Sequence, residues 1–312
     1  MKILVTGANG FLGKEVVIFL SSKEEVIACT RHSRYGLDVE HRQLTNFTDA
    51  KECNRVLHDI DIVIHCAGLA HVHSTDDVKD DFYKANVQST KVLAEQALAN
   101  NVKKFIFISS IGVNGNKTEG QPFTELHTTN PINEYALSKL KAEQALYQIF
   151  EKTTTDLIIL RPPLIYAGNA PGNFNKLLKI VSLGVPLPFL LLNNKRTMIG
   201  LENLLGLIEK CIDYQKPIKA TFVIGDDESV STKQILLNLG KGMDKTVKLL
   251  PFPKLLARVG AKIFGQHKLY EQLFCDLEID NSKIKTTLNW QPEFTTNKLL
   301  IKSAQEYKRN LL

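Results

Sequence analysis

Five short apolar runs recur through the first half of the chain, at Ile3–Thr6, Val26–Thr30, Ile60–Cys66, Lys104–Ser109 and Leu157–Arg161. Each is close to continuously hydrophobic rather than alternating, the pattern of strands covered on both faces. Between them, stretches with helical periodicity predict helices over Phe11–Ser21, Asp49–His58, Phe82–Asn100 and Glu134–Lys152. Strands alternating with helices over about 165 residues predict an α/β doubly wound parallel sheet, with ligands at the strand C-termini.

After Arg161-Pro-Pro this regularity weakens, and residues 168–188 are rich in Gly, Pro and Asn. The pattern predicts a dinucleotide-binding domain over 1–165, rejoined by about 197–225 through Asn203–Tyr214 and Ala220–Ile224. Residues 166–196 and 226–312 then form a smaller, discontinuous C-terminal substrate-binding lobe. No repeat or low-complexity tract interrupts the chain.

Composition narrows the class only a little. Across 312 residues, 44% are hydrophobic and 23% charged, as in ordinary globular proteins. The net charge of +6 contains no block of five basic residues, so no nucleic-acid or polybasic membrane patch is expected. Five cysteines (Cys29, Cys53, Cys66, Cys211 and Cys275) show no metal-ligand spacing, and an odd, unpatterned set suits a reducing cytoplasm. With the first strand starting at once, no secretory leader is expected. The longest apolar run, Leu177–Leu192, is interrupted by Gly184, Pro186 and Pro188 and is too short for a membrane span. A cytoplasmic protein with no metal site is the expectation.

The chemistry-bearing residues sit where this pattern turns. Gly7-Ala-Asn-Gly10-Phe-Leu-Gly13 joins the first strand to the first helix. Glycines there let the backbone approach a pyrophosphate, and the helix start offers N–H groups and a positive dipole end. Further on, Tyr135 and Lys139 lie four residues apart on one helix face. An ammonium together with an oxidised nicotinamide would stabilise a phenolate, making the tyrosine an acid/base. Ser109 or Ser110 ends a sheet strand 25 residues earlier, where a hydroxyl can hold a substrate carbonyl; Ser110 is preferred.

Taken together, Thr6-Gly-Ala-Asn-Gly-Phe-Leu-Gly13, His65-Cys-Ala-Gly68, Ala85-Asn-Val87, Ser109-Ser-Ile-Gly-Val-Asn-Gly115, Tyr135-Ala-Leu-Ser-Lys139 and Leu160-Arg-Pro-Pro163 resemble the extended short-chain dehydrogenase/reductases. The likeness is to their nucleotide-sugar epimerase/dehydratase/reductase group, and weaker matches continue to Leu288-Asn-Trp290-Gln-Pro292. The resemblance implies a Rossmann-type fold, Tyr135 as acid/base, Lys139 on the nicotinamide ribose and Ser110 on the reacting oxygen. It implies cofactor contacts from Gly7, Asn9, Gly10, Phe11, Leu12, Ala67, Gly68 and Pro162, with Pro163 close by. Asn86 would brace the active-site backbone. A homodimer through two helices is common in the family.

Cofactor and reaction follow from single positions. The second strand runs into Arg31, with Arg34 beyond it, where an NAD site usually places a carboxylate. Arginine accommodates a 2′-phosphate, so NADP(H) is expected, with NAD(H) as the alternative. Related 4,6-dehydratases carry an acidic pair after the catalytic hydroxyl residue; here Ile111-Gly112 follows Ser110, which disfavours dehydration. The segment from Arg161 to Asn203 looks most like enzymes of UDP-linked 2-acetamido-2,6-dideoxy sugars. There Arg196 matches a diphosphate-binding arginine, with Asn173 and Asn175 as further substrate contacts. The expected function is therefore NADPH-dependent reduction of a UDP-2-acetamido-2,6-dideoxy-hexos-4-ulose at C4, for surface polysaccharide synthesis. The alternative is a UDP-glucose or UDP-N-acetylglucosamine 4-epimerase that holds NAD; a catalytically silent NAD(P)-binding regulator is a third reading.

Overall fold

The computed structural model describes residues 1–32, 35–70 and 78–311. Among the described residues nine strands are formed: β1 (Lys2–Thr6), β2 (Glu25–Thr30), β3 (Glu40–Gln43), β4 (Ile62–His65), β5 (Lys104–Ile108), β6 (Asp156–Arg161), β7 (Ile165–Tyr166), β8 (Ile199–Gly200) and β9 (Lys219–Val223). Seven make one sheet in the order β3-β2-β1-β4-β5-β6-β9, and β1 to β6 pair in parallel. This is a Rossmann-like, doubly wound arrangement.

The apolar runs form the strands because both faces of the sheet are covered. Leu4, Val63, Phe105, Phe107, Leu157 and Ile159 enter one core with Leu93, Ala97, Ala142, Leu146 and Phe150 of the covering helices. The intervening Ile3, Val5, Ile62, Ile64, Ile106 and Ile158 are equally buried. Three strands escaped the sequence pattern. β3 reads Glu-His-Arg-Gln and sits at the sheet edge, where burial no longer demands apolar residues. The β7–β8 pair has only two residues a side, too few for any period to show.

Strand register sets the functional edge. Thr6 lies opposite both Cys29 and His65, His65 opposite Phe107, and Ile108 opposite Leu160. The loops after β1, β2, β4 and β5 therefore leave the sheet side by side, and strand order reverses at β1. In open α/β sheets this switch point is where ligands bind.

The chain divides into two compact units. One comprises Met1–Asn114, Thr128–Arg161 and Leu207–Phe222; the other comprises Gly115–His127, Pro162–Gly206 and Val223–Leu312. In the second, the Asp226 carboxylate accepts from Tyr166 Oη at 2.6 Å and Asn203 Nδ2 at 2.8 Å, and from the Gly200 N–H. Gly200 has no room for a Cβ, which would meet Leu299 of the helix Thr296–Arg309.

In the first unit, buried Lys104 at the start of β5 donates to the carbonyls of Cys211, Ile212 and Tyr214. It satisfies acceptors that the end of helix Leu201–Asp213 cannot satisfy itself. Lys104→Met should orphan those carbonyls and cost about 1–3 kcal/mol. Calorimetry should show a lower unfolding temperature; an unchanged one would mean that water replaces the amine.

Candidate active site

The turn after β1 is shaped by its glycines. Gly7 adopts φ 69°, and a Cβ there would stand 2.7 Å from the backbone N of Ala67. A Cβ on Gly13 would meet the Gly7 carbonyl oxygen at 2.3 Å, so only glycine lets helix Phe11–Leu20 pack so tightly onto the turn. Asn9 and Gly10 are exposed, and Gly10 begins the helix with no side-chain cap, unlike Asp49 and Asn133 on later helices. Leu12 is buried within that helix. Tyr35 donates its phenol to the Ala8 carbonyl at 3.3 Å and stacks on His41. That contact across the loop gave no sequence signal.

At the end of β5 the two serines separate in role. Ser109 Oγ donates to Glu143 Oε1, deep in the fold. Ser110 begins a short turn, Ile111–Val113; its Oγ accepts from the Gly112 N–H at 3.1 Å. Ser110 also hydrogen-bonds Tyr135 and lowers the phenol's pKa, as a donor to the phenolic oxygen would. Tyr135 starts the helix Glu134–Phe150, which Asn133 caps by accepting from the Ala136 N–H. Burial outweighs the Ser110 bond and pushes the phenol up to about 12.

Lys139 lies one turn further along. Its ammonium donates to the Ile108 carbonyl at 2.9 Å and stands 4.6 Å over the Phe107 ring. Burial brings its pKa down to about 8, against the opposing influences of Cys66 and Glu143. Burial, and not the Lys139 charge, sets the direction of the Tyr135 shift among the chain's own groups.

The backbone beside these groups is fixed by Asn86. Its Oδ1 accepts from the Leu69 N–H at 2.7 Å, while Nδ2 donates to the Leu69 carbonyl and Ser138 Oγ. The loop after β4 is thereby tied to the Tyr135 helix. Gly68 runs close to this tie: a Cβ there would stand 3.1 Å from Asn86 Oδ1 and 3.2 Å from Lys139 Nζ. Ala67 donates its N–H to Thr6 Oγ1. Thr6 Oγ1 also meets His65 Nδ1 at 2.7 Å, and His65 Nε2 meets Thr90 Oγ1 at 2.9 Å. Burial pushes His65 down to about 3, so it stays a neutral structural imidazole.

Beneath the trio lies a buried ion pair. Arg161, ending β6, donates bidentately to Glu143 and to Asn114 Oδ1 at 2.9 Å. Glu143 follows Lys139 by four residues and Tyr135 by eight, which puts it on the same helix face without revealing its partner Arg161.

The remaining expected site residues are placed as follows. Arg31 is exposed at the end of β2, its carbonyl accepting from Gln43 Nε2; Arg34 lies outside the described residues. Pro162 and Pro163 are buried at the start of their segment of the second unit. Within that unit Asn173 donates to Gln272 Oε1, and Asn175 is exposed on the same helix, Asn173–Leu183. Arg196 donates to the carbonyls of Glu271 and Cys275. Among the described residues no group of three or more His, Cys, Asp or Glu is arranged to hold a metal.

Comparison with known proteins matches residues 3–182 to the model of the NAD dependent epimerase/dehydratase family. A UDP-glucose 4-epimerase of Vibrio cholerae is 34% identical over 98% of this chain and 95% of its own. An N-acetyl-alpha-D-glucosaminyl-diphospho-ditrans,octacis-undecaprenol 4-epimerase of Escherichia coli O157:H7 is 25% identical, covering 84% of this chain and 78% of its own. The solved structure of UDP-glucose 4-epimerase from Thermotoga maritima, with UDP-glucose, superposes with a TM-score of 0.79 at 22% identity over all of both chains. The family implies a bound dinucleotide, and the glycine turn fits one. A Cβ on Gly10 would meet only the Gly7 oxygen, leaving an open backbone face beside an uncapped helix start.

Two expectations follow from this geometry. Folded Lys139 loses its proton near pH 8, whereas its ordinary value is 10.5, so between these values the unfolded chain binds more protons. Stability contributed at this position therefore rises with pH across that window. Lys139→Met should lack that rise, visible as a converging difference between the two unfolding-temperature curves; parallel curves would contradict it. Glu143→Gln leaves Arg161 buried without its counter-charge and should cost about 3–5 kcal/mol. An unaltered unfolding temperature would show that Arg161 finds another anion.

Proposed function

The chain belongs to the NAD dependent epimerase/dehydratase family, and from that premise we propose that it is a UDP-hexose or UDP-N-acetylhexosamine 4-epimerase that keeps NAD bound. The observation that carries this reading is the 34% identity to a UDP-glucose 4-epimerase along nearly the whole of both chains. The relatives named above are 4-epimerases, so the alternative becomes the main reading. The hydrogen-bonded Ser110–Tyr135 pair beside Lys139 supports the chemistry.

In this reading Gly7, Asn9, Gly10, Phe11 and Leu12 hold the dinucleotide pyrophosphate, and Ala67, Gly68 and Asn86 shape its nicotinamide side. Pro162 packs against the same end. Lys139 reaches the nicotinamide ribose. The nicotinamide, when bound, supplies a reversible acceptor for the hydride on the sugar C4. Tyr135 takes the proton from O4 as that carbon becomes a ketone, and returns it after the ring has presented its other face. Ser110 donates to the same oxygen and holds it at Tyr135 while charge builds there. Arg196, with Asn173 and Asn175, serves the UDP diphosphate and sugar, the guanidinium offering a fork that suits phosphate.

A second reading, the NADPH-dependent 4-ketoreductase of a UDP-2-acetamido-2,6-dideoxy-hexos-4-ulose, is favoured by one observation. Arg31 stands exposed where a carboxylate would otherwise select NAD. A homodimer is proposed for either enzyme, on family likeness.

The two readings part in a simple assay. Supplied with UDP-glucose or UDP-N-acetylglucosamine and no added cofactor, the purified protein should form the C4 epimer, and denaturation should release NAD. Tyr135→Phe should keep the fold and the bound NAD but lose about 10²–10⁴-fold in kcat. No epimer with either sugar, together with NADPH oxidation by the ketosugar, would transfer the assignment to the reductase.

A further inference from the structure

Within the second unit, helix Lys254–Ile263 buries none of its residues. Leu255, Ile263 and the following Phe264 are 70%, 72% and 77% exposed, and Leu256 and Val259 are also exposed. Projected around the helix, Leu255, Leu256, Val259 and Ile263 occupy one arc of about 100°. Lys254, Arg258 and Lys262 occupy the adjoining arc of about 80°. All three cations are exposed. Among the described residues neither they nor Lys268 form an ion pair.

Further exposed apolar residues lie on the segment that leads into the helix and on the strap paired with it. The segment before it, Lys248–Leu250, hydrogen-bonds along a second strap: Leu187 N–H donates to the Lys248 carbonyl, Leu250 N–H to the Leu187 carbonyl, and Leu190 N–H to the Leu250 carbonyl. Leu190, Leu191, Leu250 and Phe252 are exposed on these straps. A soluble globular surface seldom gathers so many large apolar side chains in one place. From Lys245 to Tyr270 the chain contains Lys245, Lys248, Lys254, Arg258, Lys262 and Lys268 but no Asp or Glu; residues 168–201 contain none either.

We propose that this face associates with an anionic phospholipid bilayer, helix Lys254–Ile263 lying in the interface plane with Leu255, Leu256, Val259 and Ile263 among the acyl chains. Lys254, Arg258 and Lys262 stay at headgroup level, their aliphatic stems lying along the boundary. Charge selects this occupant. A second copy closing on the same face by two-fold symmetry would oppose cation to cation with no carboxylate on either strap. An anionic lipid surface supplies the missing negative charge and the apolar volume together. The association is peripheral: among the described residues no helix is long and apolar enough to cross a membrane. It was hidden from a search for basic runs because the cations stand four residues apart and meet only on the helix. The proposal is independent of which sugar reaction the protein performs.

Flotation of the full-length protein with vesicles tests it. The protein should float with phosphatidylglycerol/phosphatidylcholine vesicles at low salt, remain unbound with phosphatidylcholine alone, and be released by high salt. Arg258→Glu/Lys262→Glu and, separately, Leu255→Gln/Ile263→Gln should each reduce the bound fraction at least tenfold at unchanged unfolding temperature. Absence of flotation with the anionic vesicles overturns the proposal, as does binding by both variants at the wild-type level. Sedimentation velocity gives the competing outcome. A wild-type oligomer that Leu255→Gln/Ile263→Gln converts to monomer would assign the face to self-association instead.

Discussion

The buried Glu143–Arg161 pair is the constraint around which the Ser110, Tyr135 and Lys139 cluster is arranged. Its four participants come from three directions: Ser109 and Asn114 from the exit of β5, Glu143 from the helix carrying Tyr135 and Lys139, and Arg161 from the end of β6. An apolar contact between helix and sheet tolerates small slides, because dispersion has little directionality. A bidentate carboxylate–guanidinium fork with its remaining donors committed does not. Desolvating two charges makes this an expensive fastening. What it supplies is a fixed helix register, and register decides whether Tyr135 meets Ser110.

The same economy governs the other polar groups at the sheet edge. Asn86 ties the loop after β4 to the Tyr135 helix with three hydrogen bonds, and Thr6, His65 and Thr90 form a neutral chain beneath it. No buried side-chain nitrogen or oxygen lacks a partner among the described residues. A fully satisfied network of this kind stiffens its surroundings, whereas one orphaned group would cost nearly as much as several bonds gain. The site therefore has a rigid floor. Lys139 belongs to it through its bond to the Ile108 carbonyl.

The architecture was legible because a doubly covered parallel sheet leaves an unambiguous hydrophobic signature, and β1, β2, β5 and β6 follow their apolar runs closely. β3 was not legible, since an edge strand is half relieved of burial and its Glu-His-Arg-Gln carries no period. At the site, the glycine turn, Ser110, Tyr135 and Lys139 announced themselves by type and spacing. The residues that hold them did not. Glu143 reads as one more helix-surface carboxylate until Arg161 is brought beneath it, and Asn86 as an ordinary helical amide until Leu69 folds back. Pairings of that kind join positions 17 and 18 residues apart that a local pattern never compares. The cationic helix face was missed for the related reason that its charges are neighbours in space only.

Arg31 shows where such reading reaches its boundary. Its meaning depends on the fate of the hydride, not on the geometry of the trio. A reductase must release spent cofactor and recruit a reduced one, so a side chain that recognises a 2′-phosphate has work to do at every turnover. An epimerase returns the hydride to the carbon it came from, and a cofactor that never leaves needs no such selection. In either proposed reaction Ser110, Tyr135 and Lys139 would serve equally, because each passes through the same C4 ketone and the same proton on the same oxygen. The exposed arginine and the full-length likeness to an epimerase thus point in different directions without any conflict in the chemistry of the site. The likeness weighs more. It rests on residues spread along both units, whereas Arg31 is one exposed side chain at a strand end.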